Sequence, residues 1–138
     1  MSVIESHCGD WPESAQTRRS WPATTERLKP KDVTLYHANA HVILPSTKPH
    51  QCSYVELIAE EPQVPTWFAS HWWGEPVEQF LLCLRKHAAL RHLSRDSAYW
   101  VCAYANNQHD PAADIGTDPS KSAFRRAMDL CAGTLSIV

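Results

Sequence analysis

At 138 residues, 43% of them hydrophobic, the chain is one domain by length and long enough to bury a single core. A net charge of -2 with scattered basic residues excludes a general pull toward nucleic acid or anionic lipid. The strongest apolar run, 80–84, is far too short to span a bilayer, and "MSVIESHCGDWPES" lacks the basic start and apolar core of a secretory signal.

Residues 1–31 are polar, carry Pro12, Pro22 and Pro30, and show no sustained period. They predict an irregular amino-terminal arm, with Trp11 and Trp21 as candidate docking side chains for the domain body or a partner. Residues 32–138 are expected to form the folded domain. Its first part, "DVTLYHANAHVILPSTKPH", holds two short β-prone pieces, 33–36 and 41–44, before Pro45 and Pro49. "CSYVELIAEE" then offers Ser53 as an N-cap with Glu56 three residues later, the capping-box spacing, and Pro62 and Pro65 end that helix.

After Pro65 the pattern sharpens. Residues 67–70 predict a short strand, and Pro76 suits a first helical position where its missing N–H does no harm. Val77, Phe80, Leu81, Leu84 and Ala88 give a helix over 76–93 with one buried stripe. "SAYWVCAYA" predicts a strand over 99–104 buried on both faces. A polar loop leads to a second helix over 119–132, with Asp118 and Pro119 as its start, an inward face of Phe124, Ala127, Met128 and Cys131, and Gly133 as a left-handed close. "TLSIV" opens a third strand, 134–138. This alternation argues for an α/β fold of three layers around a parallel sheet of at least three strands. With no helix after the last strand, either the amino-terminal third covers the exposed sheet or the chain is the front part of a longer domain.

In parallel sheets of this kind, ligands sit beyond the carboxyl ends of the strands. Two stretches fall there, Ser70-His71-Trp72-Trp73-Gly74-Glu75 and Asn106-Asn107-Gln108-His109. Neighbouring strands would bring them together, with the first helix directing its partly positive end into the same space. The candidate ligand-binding residues are Ser70, His71, Trp72, Trp73, Glu75, Asn106, Asn107, Gln108 and His109. Alternation at the strand end predicts that one tryptophan plugs the core while its neighbour and His71 face 106–109. The same residues also suit structural work. Tryptophans anchor loops and fill cores, a strand-end histidine hydrogen-bonds, and asparagines satisfy turn backbone.

Five cysteines (Cys8, Cys52, Cys83, Cys102, Cys131) make an odd number without framework spacing, which predicts reduced thiols and a cytoplasmic location. Cys83 and His87 lie one helical turn apart and His50 is near Cys52, but no second pair completes a zinc set, so no metal is expected. Cys102 falls in mid-strand, where a thiol serves as inert filling rather than as a nucleophile.

"FASHWWGEP", a helix, "YWVCAYANNQ", a second helix and "LSIV" resemble the opening half of TIR-like folds, most closely the heterokaryon-incompatibility (HET) branch and its protist relatives. That pattern pairs a strand ending in Ser-His/Tyr-x-Trp-Gly with a later Trp-[Ile/Val]-Asp-x-x-x-x-Asn-Gln strand. Ser70-His71-Trp72-Trp73-Gly74 and Trp100-Val101 through Asn107-Gln108 stand at those positions, within a likeness covering 66–138. The resemblance implies the front half of a flavodoxin- or TIR-like sheet, and a signalling or self-association module with a protein partner or a second copy of itself. Its crevice would take a nucleotide such as NAD. Two positions depart from the pattern: Cys102 replaces an aspartate, and no residue matches the glutamate, on a helix after the third strand, that NAD-cleaving relatives use. Glu75 is the nearest carboxylate. Two other readings stay open, an NAD or nucleotide glycohydrolase completed by a partner or missing segment, and a truncated product without independent activity.

Overall fold

The computed structural model describes residues 28–138. The expectations for Trp11 and Trp21, and for most of the arm, lie outside the described residues.

Three parallel strands form one sheet, β1 (Trp67–Ser70), β2 (Tyr99–Trp100) and β3 (Gly133–Ser136), in the order β2-β1-β3. Trp67 pairs with Tyr99 on one side and Gly133 on the other. The α/β class and the parallel sheet are therefore as the alternating pattern predicts. Gly133 does not close a helix. It opens β3, where a side chain would press on the Trp67 ring.

Among the described residues, seven α-helical segments flank the sheet: α1 (Leu35–Ala38), α2 (Leu44–Thr47), α3 (Tyr54–Ile58), α4 (Val77–Leu90), α5 (Cys102–Ala105), α6 (Pro111–Ile115) and α7 (Ala123–Leu130). The two β-prone pieces are helical instead. Residues 35–47 run through α1, a π-helical turn at Asn39–Ile43 and α2. The buried residues Leu35, Ala38, Ile43 and Thr47 are spaced by three, five and four. The five-residue step falls on the π turn, where one extra residue keeps both flanking positions on the inner face. That irregular spacing hides the helix from a 3.6-residue reading.

The capping box at Ser53 forms as expected. Its hydroxyl accepts from the Glu56 N–H, and Glu56 accepts from the Ser53 N–H at 2.8 Å. The Ser53 hydroxyl also donates to the Glu56 carboxylate at 2.7 Å, and that bond first, with the Ser53 N–H second, holds the carboxyl below its ordinary pKa. α4 starts one residue later than the pattern suggests, with Pro76 as its N-cap. It ends with His92 in left-handed geometry, bonding Leu93 N–H to the Ala88 carbonyl and His92 N–H to that of Ala89, a role usually given to glycine. β2 is shorter than predicted, because the chain turns helical at Cys102. A short apolar run does not distinguish a buried strand from a buried helix. α7 likewise begins late: Asp118 caps a 3-10 turn at Pro119–Lys121, and Ser122 caps the helix itself. On its inner face Ala127 is buried and Phe124 half-buried, while Met128 is largely exposed.

The sheet's two faces carry opposite helices. On one, α4 lays Phe80 into a core with Val33, Leu35, Ala69, Val77, Val101 and Ile137, and His87 packs edge-on against Trp67. On the other, α7 sets Phe124 beside Phe68 and Trp100, whose rings stack 4.8 Å apart. The two crossovers from β1 to β2 and from β2 to β3 thus run in opposite directions and cover opposite faces, as right-handed connections require.

Candidate functional site

The strand order makes β1 the pivot of the fold. The chain leaves β1 toward β2 and passes from β2 to β1's other side as β3, so the connections that leave the carboxyl ends of β1 and β2 run in opposite directions. In an open parallel sheet that divergence leaves a crevice between adjoining strands. The residues that follow β1 are Ser70 to Glu75.

Ser70 is exposed at the strand end, and its carbonyl accepts from the Ile137 N–H at 2.9 Å. The next turn is held by the Trp73 carbonyl, which accepts from Leu35 N–H, and by Glu75 N–H, which donates to the Trp72 carbonyl. The two tryptophans divide as alternation predicts. Trp73 packs against the core, meets the Tyr36 ring at 5.5 Å, and donates its indole N–H to the Cys102 sulfur at 3.1 Å. Trp72 is 61% exposed and folds its ring over Gly74. A side chain at Gly74 would occupy the space of that indole, so the glycine permits a close approach.

His71 takes a different direction from the expected one. Its side chain is 1% exposed, and its ring lies 4.5 Å from that of Phe80, on the first turn of α4. Nδ1 approaches Glu75 Oε1 at 3.3 Å, within ion-pair reach but outside hydrogen-bond alignment, so both ring nitrogens and Oε1 are buried without a hydrogen bond. The reason is the alternation itself. With Trp72 outward and Trp73 inward, alternation puts His71 on the inward side with Trp73, above Phe80. Burial holds the His71 imidazole below its ordinary pKa and pushes the Glu75 carboxyl above its own.

Residues 106–109 behave differently, because each is engaged within the fold. Asn106 is buried, and its carbonyl accepts from the Gln108 amide, which also donates to the Cys102 carbonyl at 3.0 Å. Asn107 donates its amide to the Gln51 carbonyl, accepts from His109 N–H, and gives its own N–H to Asp114. His109 Nε2 meets the buried Thr47 hydroxyl at 2.8 Å. Cys102 links the two stretches, with its sulfur facing Trp73 and its carbonyl held by Gln108. Burial pushes the Cys102 thiol up, against the smaller effect of the Trp73 N–H, which keeps it protonated near neutral pH.

An open depression of about 410 Å³ lies beside this second loop, lined by residues including Gln51, Ser53, Glu56, Ala105, Asn107 and Asp114. Asn107 is the one predicted site residue on its wall. Sequence reasoning did not single out Ser53, Glu56 or Asp114 for a site, since the first two read as a cap and the third as loop polarity. Among the described residues, no three of His, Cys, Asp and Glu converge as metal ligands, and no helix is long and apolar enough to cross a membrane. No family model matches the chain, and neither curated proteins nor solved structures show a significant similarity to it.

Proposed function

We propose that this chain is a TIR/HET-like module for signalling or self-association that takes a nucleotide at the carboxyl end of β1. The observation that supports it most is topological: the crossovers leaving β1 and β2 run in opposite directions, and Ser70 to Glu75 follow directly on the carboxyl end of β1. The local chemistry agrees with such a ligand. The exposed Trp72 ring offers a face on which a base stacks. α4 is 14 residues long with no side-chain cap, so its first turn offers a phosphate backbone N–H groups and a partly positive dipole end. Residues 106–109 support this end of the sheet by ordering the backbone beside it.

A nucleotide-cleaving reading draws on Glu75, whose burial raises its pKa as a proton donor requires. It also needs a second carboxylate, from a partner or further segment, because no residue here matches the family's glutamate. The test is titration of the labelled chain with NAD, followed by amide NMR and by nicotinamide release. The reading predicts shifts centred on 70–75 and the first turn of α4, with no turnover by the chain alone. Shifts confined to the depression around Asn107 and Asp114, or none at all, would reject the ligand. Nicotinamide release that disappears in Glu75→Ala would make the chain an enzyme.

A further inference from the structure

His71 is a sealed titratable side chain with no hydrogen bond at either ring nitrogen, and Glu75, 16% exposed, keeps Oε1 buried beside it without a hydrogen bond. We propose that they form a proton-operated latch: adding a proton to His71 opens the 71–75 turn and releases Trp72 and Trp73 from their packed positions. The latch depends on this pair alone and holds with or without a nucleotide.

The argument starts from what a neutral imidazole needs. It carries one N–H donor and one lone pair, and here both nitrogens are shut away from water without a hydrogen bond. A second proton would turn the ring into a buried cation, facing Phe80 on one side and a misaligned carboxylate on the other. A buried charge without good partners is expensive, and swinging the ring into water removes that cost. The fold confines such a movement to the turn. Upstream, Ser70 is anchored to Ile137. Downstream, Val77 N–H is anchored to the Val33 carbonyl at 2.8 Å. Between those anchors, the turn's ties to other elements are the Leu35 N–H to Trp73 carbonyl bond and the Trp73 contact to sulfur, a weak acceptor. Opening therefore breaks few bonds and carries both indoles with it.

Titratable groups on the elements packed around the turn do not supply a competing charge. Phe80 is what α4 presents to the ring, and Glu78 on the same helix is exposed. On α1, Tyr36 packs on Trp73 rather than on His71 and His37 turns Nδ1 to Thr34, while the Cys102 thiol is kept protonated by burial. Ser136 and Ile137 at the end of β3 bring no ionisable side chain. The sign follows from the pair's directions. Below about 6.5, the ordinary value for His71, an open ring takes a proton before the closed one, so falling pH favours opening until the closed ring titrates. Glu75 acts in the opposite sense and nearer 4.5, where protonation favours the closed turn.

Fluorine NMR of the full chain labelled with 5-fluorotryptophan reads the latch directly, with resonances assigned through Trp72→Phe and Trp73→Phe. From about pH 8 to about pH 5, the range in which histidine titrates, the Trp72 and Trp73 signals should move together with a midpoint below 6.5. The Trp100 signal, on the other face of the sheet, should stay still. His71→Leu should abolish the movement. Glu75→Gln should shift the midpoint to higher pH, because the closed turn then holds a protonated ring without its counter-charge, which keeps the test decisive if His71→Leu fails to fold. Static Trp72 and Trp73 signals, an undiminished transition in His71→Leu, or an unmoved midpoint in Glu75→Gln would overturn the latch.

Discussion

The loops after β1 and after β2 lie side by side at one end of the same sheet, yet they treat their polar groups in opposite ways. After β2, the Asn107, Gln108 and His109 side chains bond to neighbouring backbone or to Thr47, and the Asn106 carbonyl accepts from Gln108. After β1, the His71 ring nitrogens and Glu75 Oε1 are buried without a hydrogen bond, while a large tryptophan stands in water beside them. A saturated loop holds a shape. A loop that leaves buried polar atoms unserved gains from any change that serves them, whether a proton, a ligand or a rearrangement. The difference assigns the scaffold to the second loop and the responsive site to the first.

The largest test of this division lies beneath the first loop. Phe80→Ala removes the ring that supports both His71 and the core, and should cost about 3–5 kcal/mol in chemical denaturation. Leu84 is half-buried against the same core, so Leu84→Ala should cost about 2 kcal/mol, the lower end for such a change. A loss below about 0.5 kcal/mol at Leu84 would mean that α4 presents another face to the sheet.

Thr47→Val sharpens the comparison from the saturated side. Thr47 is fully buried, donates to the Ile43 carbonyl and meets His109, so the substitution strands His109 and should cost about 1–3 kcal/mol. His71→Leu makes the mirror-image change, replacing an unserved ring with an apolar side chain. It should leave stability unchanged or raise it by about 1 kcal/mol at neutral pH. Equal losses in the two variants would erase the distinction between the loops.

What the sequence makes legible here follows from how local each signal is. Helix α4, the Ser53–Glu56 capping box and the parallel alternation all rest on regular spacing or on contacts three residues apart, and they read directly. The helical stretch 35–47 does not, because its π turn breaks the period and its Val, Ile and Tyr content favours strands. That β1 and β2 are neighbouring parallel strands was legible from the alternation. The inward turn of His71 was not, since it depends on which of the two tryptophans turns inward and on Phe80 lying beneath it.

The claim that the β1 turn holds an unserved, proton-sensitive pair is tested most directly by measuring unfolding free energy for the wild type and His71→Leu at several pH values. Because burial lowers the His71 pKa from 6.5, the wild type should lose stability as pH falls below that value, and the leucine variant should lose less. The account predicts a gap in favour of His71→Leu that widens steadily from neutral pH into the range just below 6.5. A gap that stays constant with pH, or one that favours the wild type throughout, would contradict it.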